Sequence, residues 1–251
     1  EAIRSDSIWG FATAQELSTL RQQGFRVLGD FDFTVGRGGH QGSFDFPAKD
    51  AKFHNYAETT SALRMLASSH ADIARLISIG KSVEGRDIWA LHINTTMESI
   101  RTGTSAKPGI LYVGNHHARE HLSVEVPLMF AQHLLANRDD ATVWNLLSRR
   151  DIWIIPMLNP DGAEFDIATG SYEYWRKNRR NNGDGTFGVD LNRNYGYGWG
   201  TGGSSDETSS DVYMGPTSFS EPETQAMKAL VESQPNLKIL LSFHTFSELI
   251  L

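Results

Sequence analysis

The sequence predicts an α/β fold, a mixed and largely parallel twisted sheet with helices on both faces. Two observations carry that prediction. Four short apolar runs, Ile88–Ile93, Ile110–Val113, Ile152–Met157 and Leu237–Phe243, have the length and residue types of strands. Two stretches of helical character, 123–135 and 220 to about 233, lie between later members of this set. Strands alternating with helices pack as a sheet covered on both sides.

At 251 residues the chain can hold one large domain, or one domain with a small appendage. Hydrophobic residues make up 39% and charged ones 21%, enough apolar material for a real core. No apolar run approaches the roughly 18 residues of a membrane span, so no membrane partner is expected. A formal charge of -7 argues against a nucleic-acid partner, which needs a basic face. Zero cysteines exclude disulfides, thiolate metal sites and thiol catalysis together. The chain opens Glu1-Ala2-Ile3-Arg4 without an initiator Met or a signal-peptide core, so an N-terminal piece is expected to have been removed.

Taken in order, Thr13-Ala14-Gln15-Glu16 fits a capping box. Leu17 and Leu20 give the helix an apolar stripe, Gly24 ends it, and Phe25–Leu28 looks like a short strand. The glycine-rich stretch Gly36–Ser43 reads either as a linker or as an ordinary surface loop. As a linker it exposes Arg37 to a trypsin-like protease, and it divides a tail and linker, 1–43, from the main domain, 44–251. From Tyr56 to Ile77 the spacing predicts two helices that break near Ser68-Ser69. Residues 170–216 are rich in Gly, Asn, Ser and Asp without periodicity, and irregular stretches of that length are often functional. Ser220-Glu221-Pro222-Glu223 predicts a helix start with Ser220 as N-cap, an early Pro and a capping-box Glu.

Asn115-His116-His117-Ala118-Arg119-Glu120 follows the strand at 110–113 and precedes the helix at 123–135. Strand ends of open α/β sheets are where ligands bind. His117 and Glu120 can offer an imidazole nitrogen and a carboxylate oxygen to one Zn²⁺. His244 closes the last strand at the same sheet edge and supplies a third ligand, leaving the open fourth position of a catalytic zinc site. By spacing alone, His116 and His121 compete for these roles. His40, His54, His70, His92 and His133 are expected to be ordinary solvated or core histidines. Arg119, the run Trp175-Arg176-Lys177-Asn178-Arg179-Arg180, and Asp190-Leu191-Asn192-Arg193-Asn194 add a cationic constellation. Arginines near a metal suit an anionic substrate or a developing oxyanion, against the plainer alternative of a solvated basic loop.

Six motifs in order resemble the zinc metallocarboxypeptidases of the carboxypeptidase A type. They are His117-Ala118-Arg119-Glu120, Asn159-Pro160-Asp161-Gly162, Trp175–Arg179, Asp190–Asn194, Ser220–Glu223 and Ser242-Phe243-His244. The resemblance spans roughly residues 47 to 251 and looks nearest the secreted bacterial branch similar to carboxypeptidase T. It implies one Zn²⁺ on His117, Glu120 and His244, with Arg176 polarising the scissile carbonyl. It further implies that Asn192 and Arg193 hold the terminal carboxylate of a peptide, and that Arg119 binds further along it. Peptide C-termini are the implied substrate, and a secreted, extracellular or periplasmic location is implied with them. The tail resembles the end of a propeptide, which makes the chain a candidate zymogen. The family's later part, with its general-base glutamate and specificity pocket, is not in this sequence, so only the first two-thirds of a catalytic domain is expected here. Glu248 falls where the family has an uncharged residue. Little activity is therefore expected of the chain alone. The alternatives are a cell-wall peptide or acyl-amino-acid hydrolase of the same superfamily, or a catalytically dead zinc- and peptide-binding module. Acidic loops offer calcium ligands, but their spacing predicts no calcium site.

Overall fold

A computed structural model of the chain describes residues 3–4, 7–8, 14–24 and 45–246. It falls into two compact units, one of residues 1–33 and 246–251 and the other of 34–245. In the smaller unit β1 (Ile3–Arg4) pairs antiparallel with β2 (Ser7–Ile8), and α1 spans Ala14–Gln22. Gly24 follows with φ 88°, a left-handed conformation that suits glycine after a helix end. The expected Thr13 cap, the strand at 25–28 and the linker lie outside the described residues.

The larger unit runs α2 (Tyr56–Ser69), β3 (Ala74–Lys81), β4 (Asp87–Ile93), α3 (Met97–Thr102), β5 (Gly109–Val113), α4 (Leu122–Ala136) and α5 (Ala141–Arg149). It continues with β6 (Asp151–Ile155), α6 (Pro160–Asp166), α7 (Pro222–Ser233) and β7 (Leu237–Ser242). The five strands order as β3-β4-β6-β5-β7. The pairs β3–β4 and β4–β6 are antiparallel, whereas β6–β5 and β5–β7 are parallel. β6 is central and wholly buried, and its side chains alternate between two cores. Ile152 and Ile154 face α2, α4 and α5 through Leu63, Leu128, Leu135 and Leu147. Trp153 and Ile155 face α7 through Ala226, Met227 and Leu230. Helices thus cover both faces.

Residues 70–77 depart from the predicted second helix. α2 opens with a true capping box, in which Asn55 Oδ1 accepts from Glu58 N and Asn55 N donates to Glu58 Oε2. It ends at Ser69, and β3 begins at Ala74. The apolar residues here also satisfy a period of two: Ala74 and Leu76 join one core while Ile77 and Ile79 join the other. Pairing along β4 decides between the two patterns, since helix propensity is weak against a sheet ladder. Gly80 lets α7 approach β3, because a Cβ there would lie 2.8 Å from Ala226 Cβ.

The predicted start of α7 is also corrected. The N-cap is Glu221 and no side chain caps it. Ser220 Oγ instead donates to Glu221 Oε1 at 2.7 Å, and Glu223 turns inward to accept from Val83 N at 3.1 Å and Asn178 Nδ2 at 3.1 Å. Pro222 at the first turn fits as expected. At the opposite edge β7 leaves Ile239, Leu240 and Leu241 52%, 48% and 45% exposed. Among the described residues no helix is long and apolar enough to cross a membrane.

Burial raises the Glu223 carboxyl from 4.5 to about 7, against the pull of the Val83 and Asn178 donors. A raised folded-state value contributes stability that is full below about pH 4.5 and is lost as pH rises through 7. Wild type is therefore expected to lose on the order of 2–3 kcal/mol between pH 4.5 and 8 relative to Glu223→Gln. Urea midpoints of the two proteins across that range test this, and parallel pH profiles would exclude it.

Candidate metal centre

The site forms where β5 leaves the sheet. Gly114 is hemmed in by backbone, since a Cβ there would lie 2.1 Å from Ser123 O and 2.6 Å from Pro156 O. Asn115 then takes φ 57°, a left-handed conformation rare outside glycine but tolerated best by Asn and Asp. Its amide donates to His117 O at 3.0 Å and Ala118 O at 3.2 Å, which closes the turn. His117 and Glu120 are thereby carried on one buried turn before α4. His244 follows the end of β7, whose parallel pairing with β5 brings the two strand ends side by side.

His117 Nδ1 lies 2.7 Å from Glu120 Oε1, and His244 Nδ1 lies 2.9 Å from Glu120 Oε2. The two Nδ1 atoms are 3.2 Å apart. These three residues are the one His/Cys/Asp/Glu group among the described residues that can hold a metal ion, with ligand atoms all within 4.8 Å of one another. The chemistry of this donor set, two imidazole nitrogens and a carboxylate, fits Zn²⁺. Glu120 and His117 are buried, while the His244 side chain is 31% exposed, so the group opens toward solvent on one side.

Asp190, fully buried, anchors the surroundings. Its Oδ2 accepts from Arg176 Nε at 3.1 Å and Nη2 at 2.8 Å. Its Oδ1 accepts from Asn192 N at 2.9 Å, capping the short 3₁₀ turn Leu191–Arg193. The same oxygen lies 3.2 Å from His117 Nε2, within ion-pair distance although not aligned as a hydrogen bond. Arg176 Nη1 in turn sits 3.9 Å from Glu120 Oε1. Burial opposes ionisation of Glu120 and Asp190, yet each is held at about 2. For Glu120 the neighbours responsible are His117 and His244, and for Asp190 they are His117 and Arg176.

The other predicted substrate residues are placed more widely. Asn192 and Arg193 line one cleft of about 80 Å³ with Tyr195, Tyr197 and Trp199. Arg193 gives Nε to Gly203 O and Nη1 to Asn192 O, leaving Nη2 without a partner among the described residues. Arg119 lies further out, with Nη1 on Tyr174 O at 3.0 Å and Asp211 Oδ2 at 3.3 Å.

The basic run 175–180 does not act as one patch. Only Arg176 faces the cluster. Lys177 donates to Thr208 O, Arg180 pairs with Glu221, and the Arg179 guanidinium stacks on Phe165, Trp175 and Phe187 at 3.6, 4.8 and 4.9 Å. The competing histidines have other partners. His121 Nε2 bonds Asp166 at 2.8 Å, and His116 lies between Tyr195 and Ser242. His54 and His92 are core histidines on Glu125 and Asp151. Asp190, Tyr195 and Ser242 are the site residues that motif reading leaves without a role, because their parts depend on contacts between distant segments.

The zinc carboxypeptidase family profile matches residues 59–251, and the chain belongs to that family. It is 39% identical over 201 residues to a zinc carboxypeptidase of Saccharothrix mutabilis subsp. capreolus, covering 76% of this chain and 45% of that protein. It is 32% identical over 200 residues to carboxypeptidase B of Astacus astacus, covering 78% and 62%. Among solved structures, carboxypeptidase A from Helicoverpa armigera matches with a TM-score of 0.69 and 32% identity, covering 78% of this chain and 46% of that one. The chain spans about half the length of the curated relatives it matches. Zinc is the cofactor that goes with the family.

Removing Asp190 leaves the partly buried Arg176 without its carboxylate. Breaking such a pair from one side costs about 3 kcal/mol or more. Asp190→Ala is expected to lower the unfolding free energy of the zinc-free chain by that amount in urea titrations. A loss below about 1 kcal/mol would mean that Arg176 is solvated and that Asp190 does not anchor it.

Proposed function

We propose that this chain carries the zinc and substrate-recognition part of a metallocarboxypeptidase, a hydrolase that removes the C-terminal residue of peptides. His117, Glu120 and His244 are the proposed zinc ligands. The single observation that supports this most is the convergence of their three ligand atoms beside Arg176, with Asp190 shared between His117 and the guanidinium. When bound, zinc supplies Lewis acidity toward a carbonyl and activates water near neutral pH.

The chain's own residues have separable tasks. Arg176, fixed by two bonds to Asp190, directs its remaining Nη1 toward Glu120 and is placed to stabilise the oxyanion that develops as the peptide carbonyl is attacked. Arg193, with Nη2 available, and Asn192 hold the terminal α-carboxylate, for which a guanidinium is suited. Arg119 binds the peptide further from the scissile bond, in place of its contacts with Tyr174 O and Asp211. Both carboxylates at the centre are committed, Glu120 to the ligand group and Asp190 to His117 and Arg176. Proton transfer to the leaving amine therefore calls for a group beyond these two. We infer that residues 1–251 alone hydrolyse peptides slowly. We also infer a propeptide role for 1–43 and export from the cytoplasm, both following the family resemblance.

Metal analysis and kinetics test this reading. The chain is expected to bind one zinc, and His117→Ala, Glu120→Ala and His244→Ala each to lose it. In the complete gene product, Arg176→Ala is expected to lower kcat about 10²–10³-fold on peptides with a free C-terminus. A zinc-replete but inert complete protein would favour a peptide-binding module instead. Turnover by residues 1–251 at the rate of complete relatives would sink the inference of slow hydrolysis.

A further inference from the structure

His116 is buried to 3% exposure beside the ligand group, and both its ring nitrogens are engaged away from it. Nε2 lies 2.8 Å from the Tyr195 hydroxyl, and Nδ1 lies 3.1 Å from Ser242 Oγ. Ser242 Oγ is in turn 3.0 Å from His244 Nε2. Tyr195, His116, Ser242 and His244 thus form one unbroken chain of side-chain contacts, drawn from the 3₁₀ turn region, the β5 exit and β7.

We propose that His116 is a positioning residue that, through Ser242, fixes the tautomer and ring orientation of His244, an inference that stands on His244 being a zinc ligand. Under this proposal the protons are assigned in one order. His244 turns Nδ1 toward Glu120 and His117, so a ring that offers that lone pair to a cation must carry its proton on Nε2. That N–H donates to Ser242 Oγ. In this order the serine hydroxyl gives its single proton to its other neighbour, His116 Nδ1. His116 is then protonated on Nε2 and donates to the Tyr195 oxygen.

An apolar residue at 116 would keep the burial but break this order. Ser242 would lose its acceptor, and the proton on His244 Nε2 would no longer be set from within the protein. For the first imidazole, Asp190 Oδ1 lies 3.2 Å from His117 Nε2 as a nearby charge, without the aligned hydrogen bond that Ser242 offers His244. Ligand histidines whose second nitrogen is held in this way typically lose 10–100-fold in metal affinity when the support is removed.

The test is the zinc Kd of the full chain, measured by chelator competition, alongside the urea midpoint of the zinc-free form. His116→Phe and Ser242→Ala are each expected to weaken zinc binding about 10–100-fold. His116→Gln can accept from Ser242 with Oε1 and donate to Tyr195 with Nε2, and is expected to recover affinity to within a few-fold of wild type. Cobalt substitution supplies a second readout, with a shifted visible ligand-field spectrum expected for His116→Phe and a near-wild-type one for His116→Gln. Should His116→Phe fail to fold, Ser242→Ala, which removes one hydroxyl, carries the test alone. Zinc affinity unchanged in a folded His116→Phe or in Ser242→Ala overturns the proposal, as does a His116→Gln protein no better than His116→Phe. If instead His244→Ala leaves the zinc Kd unchanged, the metal-site assignment itself fails, and that outcome is distinct from the others.

Discussion

Four buried asparagine side chains hold together what regular secondary structure does not. Asn115, Asn159, Asn178 and Asn194 are all fully buried. Residues 170–216 contain one 3₁₀ turn and otherwise irregular backbone, whose buried N–H and C=O groups need partners as much as those of a helix do. Beside backbone pairs such as Asn178 N to Val189 O, the amides supply several of them. Asn159 donates to His116 O and Lys177 O while accepting from Gly162 N, and Asn178 accepts from Val189 N while donating to Glu221 and Glu223. Asn194 donates to Met214 O and Thr217 O and accepts from Glu221 N and Thr224 Oγ1. An amide that both donates and accepts can tie two strands of irregular chain at once. Much of what looks like a functional motif in this sequence is this scaffolding.

The chemistry is set upon that scaffold at the carboxyl ends of β5 and β7, the two parallel neighbours. Sheet pairing brings residues far apart in sequence to one edge, and the turn at Gly114-Asn115 aims His117 and Glu120 across it. Asp190 then joins the irregular segment to the sheet by holding Arg176 and approaching His117. Within the run 175–180, Arg176 is the cation that faces the cluster. The neighbouring Lys177, Arg179 and Arg180 are each consumed by carbonyls, aromatic rings or a carboxylate.

Strands at 87–93, 109–113, 151–155 and 237–242 were legible because each is a short run with few polar residues. The group of His117, Glu120 and His244 was legible because two of its members are three apart on a strand exit and the third closes another strand. β3 was not, since Ala74, Leu76, Ile77 and Ile79 satisfy helical and strand spacing alike, and only the β4 ladder separates the two. α7 begins differently from its motif because Glu223 serves Val83 and Asn178 instead of the helix end. Beyond the local cap of Asp190 on Asn192 N, the parts played by Asp190, His116 and Tyr195 lie in contacts between separate segments, which no local pattern encodes.

The pairing of β5 with β7 carries a further meaning in a sequence without cysteine. β7 pairs with β5 and leads to His244, while β5 leads into the turn that carries His117 and Glu120. A zinc ion held as proposed would tie that strand to the turn before α4, across more than a hundred residues of chain. It would then serve as the cross-link that no disulfide provides. Stability of this joint becomes a function of free zinc, rising with the logarithm of its concentration above the dissociation constant. Metal supply and the solidity of the fold are then one variable.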